Sequence, residues 1–254
     1  MARPVGPNLL VHCAATVPCV PADPTSTSLL SDGAVDLWFA PLDELRGRIS
    51  AYAMLLDAAE TERAARYRFD HDRERYIIGH GVLRELLGGY LNEEPEEVRI
   101  ERGEFGKPFI AGHPLHFNLS DTKDAMLIAF SRGQEIGADV ETMNRTVDHH
   151  AVSEHYFTPE EIGDIAGSND QKRRFLELWT RKEAVLKASG VGIMDDLRVL
   201  RVDAELNANK ITHEAFVRMA SPEYHLLTWH VGDHHIVSLA ASVPLRTTRL
   251  LKAQ

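Results

Sequence analysis

The segment Ile136-Gly137-Ala138-Asp139-Val140-Glu141 constrains this chain more than any other stretch of comparable length. In a strand, successive side chains point to opposite faces. Ile136, Ala138 and Val140 then share an apolar face, while Gly137, Asp139 and Glu141 share the other. Two carboxylates about 7 Å apart on one face repel by about 2 kcal/mol at an effective dielectric near 20. A hard cation with oxygen ligands removes that repulsion, and Mg²⁺ commonly takes one or two carboxylates together with substrate phosphates. Gly137 on the same face is expected to leave room for a bulky anion. Alone, the pattern also fits an exposed edge strand with two solvated acids.

A second segment narrows the choice. Residues 170–189 read as a helix with an apolar stripe formed by Phe175, Leu178, Trp179, Val185 and Leu186. Glu183 falls on the edge of the stripe, and Lys187 lies one turn further on the same side. As an ordinary surface pair these two contribute only a few tenths of a kcal/mol. Lys182 projects near the stripe's centre, where a charge is costly unless paired.

The order Gly-x-Asp-x-Glu, then Trp179-Thr180-Arg181-Lys182-Glu183-Ala184-Val185-Leu186-Lys187, resembles the 4′-phosphopantetheinyl transferase superfamily. Phe105-Gly106-Lys107-Pro108 is similar to the family's Gly-Lys-Pro turn, and His116-Phe117-Asn118-Leu119-Ser120 to its Phe-Asn-x-Ser-His strand. Arg73-x-Arg75-Tyr76, with His80 and Arg84, resembles its basic helix. The resemblance spans about Val35 to Val243. One departure stands out. Asp121 occupies the place of a histidine that approaches the cofactor's phosphates in relatives.

The resemblance implies an α+β fold of two pseudo-symmetric halves with the active site between them, and a monomer. It implies transfer of the phosphopantetheine arm of coenzyme A to a serine of an apo acyl or peptidyl carrier protein, releasing adenosine 3′,5′-bisphosphate. Asp139, Glu141 and Glu183 would hold Mg²⁺; Glu183 would act as general base and Lys187 would stabilise the leaving phosphate. Arg75, His80, Arg102, Lys107, Asn118, Ser120, Asp121 and Lys187 would contact coenzyme A. The same carboxylates also suit a Mg²⁺-dependent phosphodiester or pyrophosphate hydrolase, and Asp121 suits a catalytically quiet relative that binds coenzyme A or a carrier.

The remaining composition fits a soluble enzyme. A formal charge of −10 argues against general nucleic-acid binding, and there is no apolar run of 18 residues for a membrane span. Arg63, Arg66, Arg68, Arg73, Arg75 and Arg84 supply local positive charge for an anionic substrate. Cys13 and Cys19 are the only cysteines, which suits a reducing, cytoplasmic compartment. The histidine doublets His149-His150 and His234-His235 lack a usual zinc-ligand spacing. Five prolines in residues 1–33 predict a flexible arm. The two halves are expected at 34–134 and 135–254. A helix from His71 to about Leu91, a helix starting at Pro159 behind the Thr158–Glu161 capping box, a strand near 197–203 and a hairpin of 223–231 with 235–243 complete the expectation.

Overall fold

The structure, a computed structural model, describes residues 8–24, 30–192, 194 and 196–254. Strands β1 (Leu9–Cys13), β2 (Val17–Cys19) and β3 (Ala34–Pro41) lead into helices α1 (Leu42–Leu45), α2 (Ile49–Leu55), α3 (Ala58–Ala65) and α4 (Asp70–Leu91). Strands β4 (Glu101–Arg102), β5 (Pro108–Phe109), β6 (Leu115–Asp121), β7 (Ala125–Arg132) and β8 (Ile136–Thr142) follow. Next come α5 (His149–Tyr156), α6 (Pro159–Gly167), α7 (Gln171–Ser189), β9 (Leu206–Asn209) and α8 (Glu214–Met219). The chain closes with β10 (Glu223–Val231), β11 (His235–Ala241) and β12 (Thr247–Lys252).

Local chemistry explains the helix limits that matter here. Thr158 accepts from the Glu161 backbone N–H while the Glu161 side chain accepts from Thr158, with Pro159 at the first helical position. Asp170 caps α7 through the Arg173 backbone N–H, and Gly190, at φ +74°, ends it in the left-handed conformation. Asn92 ends α4 in the same conformation.

The molecule is layered α/β/β/α. One sheet runs β12-β3-β7-β6; the other runs β8-β11-β10-β1-β9, with β2 also on β10. Val35, Leu37, Leu127 and Ala129 of the first sheet meet Ile136, Ala138, Val237 and Leu239 of the second in a shared apolar layer. The apolar face expected for Ile136, Ala138 and Val140 is therefore the contact between sheets. The outer face of the first sheet is covered by Ile78, Val82 and Leu87 of α4. The outer face of the second is covered by Phe175, Leu178 and Val185 of α7.

The fold is α+β with two related halves. In each, a first strand pairs antiparallel with the last strand of a later hairpin: β3 with β7 and β6, β8 with β11 and β10. A long helix, α4 or α7, lies between them in sequence.

Three expectations are corrected. Residues 9–13 and 17–19 do not form a free arm, because β1 is sandwiched between β10 and β9 and buries Leu9, Val11 and Cys13. Pro18 lies in β2, with Pro21 and Pro24 after it, and residues 1–7 and 25–29 of the expected arm lie outside the described residues. The halves also exchange their ends. β1 and β2 join the sheet of the second half, and β12 pairs parallel with β3 in the first. Finally, the strand expected near 197–203 is a 3₁₀ turn, Leu197–Val199, because the Asp196 side chain accepts from the Arg198 backbone N–H.

Candidate active site

The site lies where an edge strand of each sheet runs alongside the other. Asn118 on β6 accepts a hydrogen bond from the Ala138 N–H of β8 at 2.8 Å, and Ser120 Oγ accepts one from Val140 N–H at 3.3 Å. These side chains satisfy backbone donors that an edge strand leaves open. Ser120 then donates to Asp139 Oδ1 at 2.7 Å. Both are buried, and both help to seat β8 against β6.

Gly137 has a different purpose from the one expected. A Cβ there would lie 2.1 Å from the Ala188 backbone nitrogen and 2.2 Å from the Ala184 carbonyl oxygen. The missing side chain makes room for α7, not for an anion. Strand and helix backbones touch, which brings Glu183 and Lys187 over Asp139 and Glu141.

Each carboxylate in this space has its own environment. Asp139 Oδ1 accepts from Lys187 Nζ at 2.6 Å as well as from Ser120. Glu141 is paired with Arg145, whose guanidinium lies 5.8 Å from the centre of the Trp179 ring. Glu183 is half-buried, and its carboxylate makes no hydrogen bond among the described residues. Burial pushes Glu183 up to about 7, aided by the negative charge of Asp139 and opposed by Lys187 and Arg145. Burial also raises Glu141 to about 7, with Arg145 opposing and Asp139 adding to the rise.

The three carboxylates were expected to converge on one point. Among the described residues their donor atoms are not all within 4.8 Å of one another, a spacing that only His12, Glu223 and His225 meet. Two cations account for the difference: Lys187 holds Asp139 and Arg145 holds Glu141. The donor set itself, three oxygen-only groups in a poorly solvated pocket, fits a hard divalent ion. Arg145 engages Oε1 of Glu141.

Within the Trp-Thr-Arg-Lys-Glu stretch of α7, only Glu183 faces the site. Thr180 bonds Ser238 at 2.8 Å. Arg181 reaches Thr228, the Val202 carbonyl and the Ala14 carbonyl, fastening the N-terminal strands. Lys182 is fully buried and donates to Glu161 Oε2 at 2.8 Å, to the Tyr156 and Leu197 carbonyls, and faces the Phe157 ring. The charge at the centre of the stripe is thus paired. Burial pulls Lys182 below the ordinary lysine range, and the opposite charge of Glu161 counters it.

The basic residues upstream are more committed to the fold than expected. His80 is buried against Glu60 at 3.0 Å, and Arg84 reaches Glu60 at 2.6 Å and Asp57 at 2.7 Å. Burial alone would raise Glu60, but the His80 and Arg84 hydrogen bonds outweigh it and hold Glu60 at about 2. Lys107 donates to Glu135 at 2.5 Å and to the Ile136 and Ala188 carbonyls, bridging the two halves. Arg102 donates to the Gly106 carbonyl and stays exposed. Arg75 pairs with Asp72 and, through Nε at 2.9 Å, with Asp121.

Residues 135–240 match the family described as the 4′-phosphopantetheinyl transferase superfamily, and residues 44–132 match the one described as 4′-phosphopantetheinyl transferase, N-terminal. The 4′-phosphopantetheinyl transferase HetI of Nostoc is 37% identical over 176 residues, which cover 67% of this chain and 74% of the relative. The chain belongs to the 4′-phosphopantetheinyl transferase superfamily. A putative 4′-phosphopantetheinyl transferase of Synechocystis is 31% identical, covering 67% of this chain and 70% of the relative. A phosphopantetheinyl transferase of Thraustochytrium is 32% identical, covering 63% and 62%.

Two cavities meet at Asp121, the superfamily signature's point of departure. One of about 220 Å³ is lined by Arg63, Tyr67, Tyr76, His80 and Arg102. The other, about 370 Å³, is lined by Lys123, Glu141 and Arg145. Asp121 lines both, so its carboxylate sits between the basic pocket and the carboxylate site. A larger cavity of about 530 Å³, bordered by Phe105, Lys107, Phe109 and Tyr224, lies on the far side of Lys107 and holds none of the three carboxylates. Arg145 and Glu135 were not expected from sequence. Arg145 follows Glu141 by four positions across a turn, a spacing that carries no signal outside a helix.

Proposed function

We propose that this chain moves the phosphopantetheine arm of coenzyme A onto a serine of an apo acyl or peptidyl carrier protein, releasing adenosine 3′,5′-bisphosphate. The observation that carries the proposal is Glu183. It is a half-buried carboxylate without a hydrogen-bond partner among the described residues, one turn from Lys187 on a helix packed over Asp139 and Glu141 and matched to the superfamily. A carboxylate left without a protein partner is free to take a proton from a hydroxyl, directly or through a water.

In this reading Asp139, Glu141 and Glu183 would hold Mg²⁺, with Arg145 beside Glu141. When bound, the ion supplies Lewis-acid polarisation of the phosphoryl oxygens and a template for the diphosphate. Glu183, directly or through a water, takes the serine proton. The serine oxygen bonds to the phosphorus that bears the pantetheine arm, and the bond from that phosphorus to the bridging oxygen breaks. Lys187, held at the site by Asp139 and Ser120, stabilises the charge gathering on the departing phosphate. The pocket lined by Arg63, His80 and Arg102, joined to Arg75 through Asp121, is assigned to the anionic end of coenzyme A, and Lys107, Asn118 and Ser120 are assigned to its further contacts. The protein works as a monomer in the cytoplasm, each chain supplying both halves of the site. No helix among the described residues is long and apolar enough to cross a membrane.

The test is to incubate the chain with coenzyme A, Mg²⁺ and an apo carrier domain and weigh the carrier by mass spectrometry. A gain of the phosphopantetheine mass is expected. Release of adenosine 3′,5′-bisphosphate with an unmodified carrier identifies a hydrolase instead, and no change in either identifies a binding protein. Glu183→Gln should lower turnover by about 100-fold or more, the scale of a lost general base, with the thermal midpoint nearly unchanged. Near-normal turnover in that variant removes the assigned role.

A further inference from the structure

A second cluster of metal-ligating side chains lies away from the carboxylate site. β1 and β10 run parallel, with His12 directly opposite His225. Glu223 precedes His225 by two positions and so shares its face of the sheet. The two imidazoles stack with ring centres 4.8 Å apart, and their Nε2 atoms approach the same oxygen, Glu223 Oε1, at 2.8 and 3.1 Å. All three donor atoms lie within 4.8 Å of one another. His12 Nε2 is closed to solvent yet makes no hydrogen bond, since its approach to Glu223 is close in distance only. A buried polar nitrogen left in that state is uncommon and needs a partner.

We propose that His12, His225 and Glu223 form a binding site for a borderline transition-metal ion, Zn²⁺ in the first instance, that fastens the first strand to β10. Four-coordinate zinc, with ligand bonds near 2.0–2.1 Å, holds its donors about 3.3 Å apart, so the three groups need only small rotamer adjustments. Two imidazoles and one carboxylate suit Zn²⁺, Ni²⁺ or Cu²⁺ and are a poor set for Mg²⁺, which demands an octahedron of oxygens. With both histidines neutral the loaded site carries a net single positive charge and keeps a position for water. Leu9, Val11, Cys13, Tyr224 and Leu226 point to the opposite face, into the core beneath α7. The trio is therefore on the other side of the sheet from Glu183, and the site does not depend on the proposed transfer reaction. Because its ligands come from both ends of the sequence, occupancy would hold residues 8–24 on the sheet.

The experiment uses the full chain without a histidine tag. Calorimetric titration with Zn²⁺, in excess Mg²⁺ to cover the carboxylates, should show one saturable equivalent. Co²⁺ in its place should give visible d–d absorption. At about 100 times its dissociation constant, Zn²⁺ should raise the thermal midpoint by about 5 °C or more. His12→Ala and His225→Ala should weaken binding by more than about tenfold, exceeding the loss that removal of a supporting group brings. Asp139→Asn and His149→Ala should leave it unchanged. Glu223→Gln, which keeps side-chain size, carries the test if an alanine variant fails to fold by circular dichroism. Equal binding in wild type and all three ligand variants, an adventitious ion only, overturns the proposal. So does the lack of a saturable equivalent, or its loss in Asp139→Asn.

Discussion

Asp121 sits at the junction of the two pockets and is the residue most open to test. Its carboxylate draws Arg75 Nε to 2.9 Å while remaining partly exposed. A negative charge on the path of an anionic substrate weakens its binding, and it also occupies a guanidinium that could otherwise serve phosphate. Asp121→His should tighten coenzyme A binding by about five- to tenfold, the effect of about 1 kcal/mol for a partly exposed charge, and the gain should shrink in high salt. Calorimetry showing equal or weaker binding would mean that Asp121 orders Arg75 for the substrate. Glu60 offers a test of the buried basic cluster. Its folded value, about 2, lies below the ordinary 4.5 because His80 and Arg84 hold its charged form against the cost of burial. A depressed carboxylate stabilises the fold fully above the unfolded value and loses that contribution as pH falls. Glu60→Gln should therefore cost about 3 kcal/mol at neutral pH, with the difference from wild type closing between pH 4.5 and 2. Denaturant titrations across that range check it, and a constant gap would show that packing, not charge, is lost.

At the scale of elements, the contact between β8 and α7 positions the chemistry. Gly137 allows backbone contact that no other residue permits, and the two acidic residues of β8 reach Glu183 and Lys187 because of it. Gly137→Ala must push α7 outward, since both clashing groups are backbone. A loss of about 1–3 kcal/mol is expected from overpacking, together with a fall in transfer activity larger than the stability loss accounts for. Thermal unfolding and the carrier assay on one preparation separate the two. Unchanged activity would show that the site tolerates movement of α7. The same element shows why sequence reading of a helix stops short. The 3.6-residue period identifies its apolar face and the cost of Lys182 there, but Glu161, its partner, belongs to α6 and is brought close only by helix packing.

For the whole molecule, the exchange of chain ends binds the halves together. β1 is an interior strand of the second half's sheet, and Arg181 on α7 reaches back to Ala14 and Thr16. Removing residues 1–24 should therefore expose the apolar face beneath Leu9 and Val11 and lower the thermal midpoint by about 10 °C or more, given about 1.5–3 kcal/mol for each large buried side chain. A truncated chain that melts with wild type would show that β1 contributes nothing to the sheet. In a family whose halves carry the site between them, such a truncation also disturbs α7 and thereby Glu183.

The amino-acid order alone determined the period-two strand at 136–141, the helix at 170–189, the capping box at Thr158 and the hairpin at its end, because each depends on neighbours a few residues apart. It also carried the superfamily's motifs, since these are local words in the chain. Only the tertiary structure decided that Gly137 makes room for a helix, that Lys107 and Asn118 hold the halves together, that Arg145 covers Glu141, and that the first strand is part of a sheet. Those facts depend on groups far apart in sequence, whose proximity is created by packing two sheets face to face and leaves no periodic trace in the chain.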